Sequence, residues 1–493
     1  MNIQFDNSYA KLPDSFYKKM NPLPVESPDL IKFNDSLANE LGIRDIDLKS
    51  SETIGVLAGN NIPEGAEPLA MAYAGHQFGG FSHQLGDGRA NLLGEVIGKD
   101  GVRYDLQLKG SGRTVFSRGG DGRSALGPVL REYLVSEAMV KLGVPTTRAL
   151  AVVTTGEEVA RMSLVPGGIL TRISKGFVRV GTFEYFSARQ DSQAIKKLAD
   201  YEIERHYPEA KHAENPYAEF LTQVVDRQAQ LIAQWMHVGF IHGVMNTDNM
   251  SIAGETIDYG PCAFMDEFEF NRVYSSIDHQ ARYAYNKQPT IGQWNLVRLA
   301  EALLPLLSEE GDTDKAVQVA QNILNGYAAL YKKYWLTGMR GKLGLIDKMD
   351  GDEELALQLL ETMENNHADF TLTFFYLSDL DGLESPKDET FNALFSNLNK
   401  SKDWLTLWRK RLVEESSEDG ARQKEMRAVN PVYIPRNHQI EAAIRAAEDN
   451  NDFSVFHELH EVLQNPYENQ DGKDLYMLPP KPEEVVQQTF CGT

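Results

Sequence analysis

The 493-residue chain has very little cysteine and no long apolar run. Two cysteines, Cys262 and Cys491, are too few for the disulfide framework of a secreted protein of this length. No segment approaches the roughly 18 consecutive apolar residues that span a bilayer, and the N-terminus lacks an apolar signal region and an Arg-rich amphipathic pattern. We therefore expect a cytoplasmic protein with no membrane partner.

Basic residues are also scarce relative to acidic ones. The chain has 49 Lys and Arg against 71 Asp and Glu, a formal net charge of −22. This balance opposes attraction of the whole chain to nucleic acid, so we expect no nucleic-acid partner, and any polyanion must bind at a local basic cluster. With 42% hydrophobic residues, the chain can build large cores and is expected to be globular.

The N-terminal half has the pattern of an α+β region. Residues 29–42 are predicted to form a capped helix, and residues 89–97 and 102–110 to form a hairpin around the turn 98–101. An amphipathic helix is predicted over 127–142. Two short β-type runs, joined across Gly156, follow it, and then a further strand.

The remainder of the chain is mainly helical in pattern. A long helix is marked by Phe220, Val224, Leu231 and Trp235, and most of 291–465 is also helical. We therefore predict an α+β protein with a small β-rich lobe carrying one key helix and a larger helical lobe. The predicted parts are an N-terminal extension (1–64), the small lobe (65–185), the helical lobe (186–465) and a polar C-terminal tail (466–493).

Glycines crowd one segment that precedes a strand. Gly86 and Gly88 would let backbone N–H groups approach a phosphate closely, although most such pairs are only turns. Residues 94–100 superficially resemble a P-loop, but the spacing is one residue short and Asp100 replaces the metal-binding hydroxyl. We reject the P-loop interpretation.

Lys109 ends a predicted strand, and Glu132 lies in the helix that follows. Protein kinases use a strand lysine paired with a helix carboxylate to hold nucleotide phosphates. Glu137 is the alternative partner, but it lies five positions further along the helix and so faces elsewhere. We predict the Lys109–Glu132 pair.

The strongest signal is the segment 242–260, HGVMNTDNMSIAGETIDYG. A tight turn at 253–254 would bring Asn249 opposite Asp258, with Cβ atoms about 4.5–5.5 Å apart. Their oxygen atoms suit Mg²⁺, which leaves other positions to phosphates and water. The predicted pairs are Ser251 with Thr256, Met250 with Ile257, and Asn249 with Asp258.

The same segment departs from the kinase catalytic loop at one position. His242 and Asn249 keep the separation of the H-R-D-x-x-x-x-N pattern, but Val244 stands where a kinase has its proton-accepting Asp. Asp248 is the nearest substitute, able to take a proton from an attacking hydroxyl or to tune the metal.

Arginines recur in the glycine-rich segments of this acidic chain. Guanidinium groups bind phosphate bidentately, so the set is suited to hold a triphosphate in a pose different from that in a kinase. The set is Arg89, Arg113, Arg118, Arg123, Arg172 and Arg179.

Four motifs together carry a family resemblance: GDGRANLLGE, LQLKGSGRTVFSRGGDGRSALG, HGVMNTDNMSI and IDYGPCAFMD. The chain resembles the selenoprotein O family, also called the YdiU family, from about residue 65 to its C-terminus. The resemblance implies a two-lobed, protein-kinase-like fold. It also implies protein adenylylation, in which ATP binds in a flipped orientation and AMP passes to Ser, Thr or Tyr hydroxyls of proteins, possible substrates including the chain itself.

The resemblance assigns roles to individual residues. It implies Asp248 as proton acceptor, Asn249 and Asp258 as ligands of Mg²⁺ or Mn²⁺, and Glu132 as the partner of Lys109. Asp258 also lies near the nucleotide. The implied nucleotide contacts are Gly86, Gly88, Arg89, Lys109, Asp121, Gly122, Arg172 and Arg179.

Several alternatives stay open at this point. The same residues would serve a phosphotransferase that uses Asp248, a uridylyltransferase that uses UTP with Mn²⁺, or a pseudokinase that binds nucleotide without reaction. Cys262 follows the Asp-Tyr-Gly-Pro segment and Cys491 lies third from the C-terminus. The two cysteines either form a reversible disulfide that gates the site or are unrelated thiols.

Overall fold

A computed structural model describes residues 1–309, 311–415 and 418–490, and it has the predicted α+β composition. Within these ranges no helix has both the length and the apolar character needed to cross a membrane. The strands are β1 (Tyr17–Lys19), β2 (Leu30–Phe33), β3 (Leu69–Met71), β4 (Gly75–Gln77), β5 (Gly80–Ser82), β6 (Ala90–Ile97), β7 (Arg103–Lys109), β8 (Ser124–Ala125), β9 (Arg148–Ala160), β10 (Leu164–Ser174), β11 (Phe240–Ile241) and β12 (Ala263–Phe264). The helices are α1 (Asp35–Glu40), α2 (Ser51–Ala58), α3 (Leu126–Lys141), α4 (Val180–Ser187), α5 (Ser192–His206), α6 (Pro216–His237), α7 (Gln288–Leu303), α8 (Thr313–Asn325), α9 (Tyr327–Leu343), α10 (Asp352–Glu364), α11 (Phe370–Leu377), α12 (Asp388–Asn392), α13 (Leu398–Leu412), α14 (Asp419–Arg427), α15 (Asn437–Asn450), α16 (Ser454–Val462) and α17 (Asp474–Met477).

An antiparallel sheet of eight strands forms the first part of the chain, in the order β1-β3-β6-β7-β10-β9-β2, with β8 pairing β10. Successive residues of a strand point to opposite faces. Leu92 accordingly packs in the core shared with α3, and Leu93 packs in the core shared with α1 and α2. The sheet is therefore covered on both faces, one of them by the N-terminal segment.

Three of the predicted elements are confirmed. The hairpin is β6 and β7, and the two amphipathic helices are α3 and α6. Helix α6 begins where the Asn215 side chain accepts from the backbone N–H groups of Tyr217 and Ala218, and its buried face includes Phe220 and Trp235.

The helix predicted over residues 29–42 is wrong in its first part. Leu30–Phe33 form β2, the edge strand that pairs with β9. The helix starts only after Asn34, whose side chain accepts from the backbone N–H of Leu37. The apolar spacing fitted both periods over so short a run, and the free edge of β9 decided between them.

The turn predicted at Gly156 is also wrong. Strand β9 continues through this residue to Ala160, and the turn to β10 lies at 161–163. Gly156 has a φ of +71° and lies where the register shifts between the Glu158–Pro166 and Thr154–Gly168 pairs. The glycine therefore marks a strand irregularity of the bulge type and not a chain reversal.

Glu202 in α5 is a buried carboxylate beside the sheet, and it should make the stability of the protein depend on pH. Both of its carboxylate oxygens are buried without a hydrogen-bond partner among the described residues, and burial raises its pKa to about 8. The neighbouring His206 is no counter-charge, because burial holds its pKa well below the usual value. The protonated Glu202 therefore contributes stability that is complete below the unfolded pKa of about 4.3 and is lost as pH rises through about 8.

We predict that Glu202→Gln stabilises the protein at about pH 8.5 by on the order of a few kcal/mol, and much less at about pH 5. Urea denaturation at the two pH values measures the difference. The exposed Glu204→Gln variant is the matched control and should change little at either pH. An equal effect of Glu202→Gln at both pH values would contradict the assignment.

Candidate active site

A cleft of about 650 Å³ lies where the glycine-rich segment, the sheet and the segment 244–260 meet. Among the described residues, seven cationic side chains and four carboxylates line it, so the cleft is locally basic in an acidic chain. Such a cleft is suited to a polyanion. The predicted residues that line it are Gly86, Gly88, Arg89, Lys109, Arg118, Asp121, Gly122, Arg123, Arg172, Arg179, Asp248, Asn249 and Asp258.

The glycine-rich loop packs closely against the segment around Phe116. A Cβ on Gly86 would lie 2.4 Å from the Phe116 ring, and one on Gly88 would lie 3.0 Å from the Phe116 carbonyl oxygen. Thr114 Oγ1 also donates to the carbonyl of Asp87 at 2.6 Å. These positions require glycine because the Phe116 ring at Gly86 and the Phe116 carbonyl at Gly88 leave no room for a side chain.

The predicted pair of Lys109 and Glu132 is present and buried, with Lys109 Nζ hydrogen-bonded to Glu132 Oε2. Arg172 Nη1 also lies 3.2 Å from Glu132 Oε1. Glu137 lies on another side of α3, where it accepts from Arg148 at 3.0 Å. Lys109 therefore pairs with Glu132 and not with Glu137.

Asp258 is surrounded by three cationic side chains. Its Oδ1 lies 2.6 Å from Arg172 Nη1 and 3.7 Å from Lys109 Nζ, and its Oδ2 lies 3.1 Å from Arg179 Nη2. Burial alone would raise the pKa of Asp258, but Arg172, Arg179 and Lys109 together hold it well below its usual range. Asp258 is therefore ionised at any physiological pH.

Asp87 and Tyr73 complete this cluster and were not predicted. The Arg179 guanidinium lies 4.4 Å from the centre of the Tyr73 ring and 3.7 Å from Asp87 Oδ1. Burial raises the pKa of Asp87, which accepts from the backbone N–H of Met71. The position of Asp87 between two glycines of the glycine-rich loop was a signal that could have identified it, whereas Tyr73 had no such signal.

Asp248 lies in the short 3₁₀ turn Thr247–Asn249. Gln77 Nε2 donates to Asp248 Oδ2 at 3.1 Å, while Asp248 Oδ1 is buried with no partner in the part of the chain that is described. Burial raises the pKa of Asp248 to about 6. Val244, the residue at the kinase base position, lines the same cleft.

The predicted register of the hairpin around residues 253–254 is wrong by one residue. Met250 bridges Thr256 instead of Ile257, and neither residue belongs to a continuous strand. The turn begins earlier because Ser251 Oγ accepts from the N–H of Ala253. The predicted opposition of Asn249 and Asp258 in a ladder therefore does not occur.

Asn249 and Asp258 nevertheless line one cleft. Asp258 has a φ of +60°, a left-handed conformation that is uncommon outside glycine. Asn249 Nδ2 donates to the carbonyl of Val244 at 2.9 Å, which leaves the amide oxygen for another partner. Irregular backbone, and not strand pairing, brings the two side chains to the cleft.

The arginines divide into two groups. Arg113 is exposed and is not part of the cleft, whereas the other five predicted arginines line it. Arg161 also lines it and was missed, because it was assigned to a strand and not to the turn between β9 and β10. Its guanidinium pairs with Asp121 at 2.8 Å.

Cys262 is a buried free thiol, and burial raises its pKa to about 12. Cys491, its predicted partner, lies outside the described residues. The chain just before it returns to the site, because Thr489 Oγ1 donates to the carbonyl of Pro261 at 2.6 Å. Arg131 Nη1 contacts the carbonyls of both Gly260 and Phe490.

Comparison with known proteins matches residues 1–464 to the family described as protein adenylyltransferase SelO. The chain is 56% identical over 489 residues to the protein nucleotidyltransferase YdiU of Rhizobium etli, covering 99% of this chain and 97% of that protein. It is 57% identical over 493 residues to the one of Rhodopseudomonas palustris, covering 100% of both chains. The chain belongs to the SelO family. As a SelO-family protein it is an enzyme, a transferase, and the resemblance seen in the motifs is confirmed.

The charge cluster of this SelO-family cleft gives a direct prediction. Asp258→Asn should destabilise the free protein by about 3–5 kcal/mol, because it leaves three buried cations without their common partner. Pyrophosphate should then raise the melting temperature of the variant more than that of the wild type. Differential scanning fluorimetry with and without pyrophosphate measures both effects.

Asp121→Asn is the matched control, since this carboxylate lies in the same cleft but is exposed, and it pairs with Arg161 and accepts from the backbone N–H of Arg123. Its stability should change by less than about 1 kcal/mol. A pyrophosphate response of Asp258→Asn no larger than that of the wild type would argue against a shared counter-ion.

Proposed function

We propose that this protein transfers AMP from ATP to Ser, Thr or Tyr hydroxyls of protein substrates and releases pyrophosphate. The observation that carries the proposal is that two carboxylates in one cleft have pKa values shifted in opposite directions. Asp258 is held ionised by cations, whereas burial raises the pKa of Asp248 to about 6 and leaves one of its oxygens without a partner among the described residues. Such divergence separates a charge-binding carboxylate from a proton acceptor.

The transfer is a single displacement at phosphorus. The acceptor hydroxyl oxygen forms a bond to the α-phosphorus, the bond from that phosphorus to the bridging oxygen of pyrophosphate breaks, and the hydroxyl proton passes to Asp248. Lys109, Arg172 and Arg179 would stabilise the negative charge that accumulates on the leaving pyrophosphate. This orientation is the reverse of a kinase, in which the γ-phosphorus faces the acceptor.

A divalent cation fits the oxygen atoms of Asn249 and Asp258. Both are hard ligands of the kind that Mg²⁺ or Mn²⁺ prefers, and the hydrogen bond from Asn249 Nδ2 to Val244 leaves its amide oxygen for such a ligand role. The cation would supply further neutralisation of phosphate charge. Arg172 and Arg179 pair with Asp258 in the free protein, and they would be available to the phosphates when Asp258 holds the cation.

The scaffold proposed for this reaction is the two-lobed arrangement of protein kinases, with the small lobe over 65–185 and the helical lobe over 186–465. The buried pair of Lys109 on β7 and Glu132 on α3 supports this interpretation. The loop of Asp248 and Asn249 then belongs to the helical lobe.

Radiolabelled ATP separates the candidate reactions. With Mg²⁺ and a protein acceptor, or with the chain alone, we expect label from the α position and not from the γ position to become protein-bound, with a mass gain of one AMP. Asp248→Asn should lower the rate by roughly 100-fold or more. Chelation of the metal should also stop the reaction.

Each other outcome assigns a different function. Label transferred only from the γ position identifies a phosphotransferase, and a product formed faster from UTP with Mn²⁺ identifies a uridylyltransferase. Nucleotide binding without a covalent product identifies a pseudokinase.

We also propose that a reversible disulfide between Cys262 and Cys491 regulates the site. The contact of Thr489 with Pro261 supports this, since it brings the chain next to Cys491 to the segment of Cys262. Formation passes two electrons and two protons to a low-molecular-weight disulfide. Cys491 would be the attacking thiolate, because burial raises the pKa of Cys262 to about 12.

Oxidised glutathione should therefore lower the transfer rate, dithiothreitol should restore it, and intact mass should fall by about two mass units on oxidation. Cys262→Ser and Cys491→Ser should each remove the response and leave the reduced rate unchanged. A redox response that persists in Cys491→Ser would show that another thiol reaction is responsible.

A further inference from the structure

The β4–β5 hairpin holds the loop that carries Asp248 through three consecutive contacts. Each of three successive hairpin residues donates a hydrogen bond to one of three successive loop residues. The contacts are His76 N to Thr247 Oγ1 at 2.7 Å, Gln77 Nε2 to Asp248 Oδ2 at 3.1 Å, and Phe78 N to Asn246 Oδ1 at 3.1 Å.

A buried carboxylate in α4 ties the hairpin and the loop together from the other side. His76 Nδ1 lies 2.5 Å from Glu184 Oε1, and Thr247 Oγ1 donates to Glu184 Oε2. The same glutamate thus engages both partners of the first contact. The hairpin is anchored on the helix and has little freedom to move relative to the loop.

Asp248 is packed between two glycines. A Cβ on Gly75 of β4 would lie 2.6 Å from Asp248 Oδ1, and one on Gly181 of α4 would lie 3.4 Å from the Asp248 Cα. Gly75 therefore packs closely against the Asp248 side chain, and Gly181 lies in ordinary contact with its backbone. The packing against Gly75 restricts Oδ1, and the hydrogen bond from Gln77 holds Oδ2, so the two contacts together orient the carboxylate.

We propose that Gln77 is a positioning residue that sets the orientation of the Asp248 carboxylate. The inference rests on the proposed role of Asp248 as proton acceptor. The amide donor holds Oδ2 without adding charge, and Oδ1 is buried against Gly75, so loss of the donor removes one of the two contacts that set the orientation of the carboxylate. A proton acceptor must lie within hydrogen-bond reach of the hydroxyl, so a rotated carboxylate loses rate.

The test replaces Gln77 with Leu, which has a similar size and no donor. We expect kcat to fall roughly 10- to 100-fold, with the KM for ATP and for the acceptor protein within about twofold of the wild type. The melting temperature should stay within about 2 °C. The exposed Gln84→Leu is the matched control, and Gln77→Met serves if the Leu variant does not fold.

A double-mutant cycle distinguishes positioning from a general structural effect. In the Asp248→Asn background, Gln77→Leu should lower kcat no further, because the carboxylate it orients is gone. A kcat within about twofold of the wild type, a loss confined to KM, or a loss that multiplies with Asp248→Asn would each overturn the proposal.

The cycle is measured with both α- and γ-labelled ATP. A failure of the proposed adenylylation can then be distinguished from a failure of the proposed role of Gln77. Transfer of the γ label contradicts adenylylation while the Gln77 effect is still measured. A wild-type protein that transfers neither label contradicts both.

Discussion

One buried carboxylate, Asp258, joins parts of the chain that are far apart in sequence. It is the common partner of Lys109 at the end of β7, Arg172 in β10 and Arg179 just before α4. Buried charges are stable only when they are paired, so these elements cannot shift independently. In the free protein, this ion cluster is also the reason a strongly acidic chain can keep several cations together in one cleft.

The sheet sets the geometry of that cluster. Lys109 lies opposite Leu170, and Arg172 lies opposite Gln107. Gln107 Oε1 accepts a hydrogen bond from Arg172 Nη2. All four residues belong to one face of the sheet because side chains alternate along a strand. Helix α3 covers this face and supplies Glu132. The N-terminal segment covers the opposite face, so that β7 and β10 are buried and their register is well specified.

The same cleft contains a second carboxylate in a very different environment. Asp248 has few charged neighbours at hydrogen-bond distance and is surrounded by close-packed backbone, so burial dominates its pKa. Of the cations that hold Asp258 ionised, Arg179 also lowers the pKa of Asp248, but its effect is smaller than that of burial. Two aspartates ten residues apart in the chain thereby acquire different chemistry, which is the basis of the proposed reaction.

Long periodic elements and short motifs were predictable from the sequence. The β6–β7 hairpin, α3 and α6 have strong patterns, and the spacing of Glu132 and Glu137 on one helix was enough to choose the partner of Lys109. Short or irregular pieces were not predictable. The strand β2 depends on the free edge of β9, and the irregularity at Gly156 resembles a turn in composition.

The sequence by itself determined most of the charged residues that line the cleft, because glycine-rich segments, arginines and an Asn–Asp motif are chemically distinctive and belong to a recognisable family. The tertiary structure decided how those residues meet. It replaced the predicted pairing of Asn249 and Asp258 with irregular backbone, and it brought Arg161 and Gln77 to the cleft from elements that have no such signal. The local sequence pattern indicates the chemistry of a residue. The residues that surround it in space depend on packing between elements that are distant in the chain.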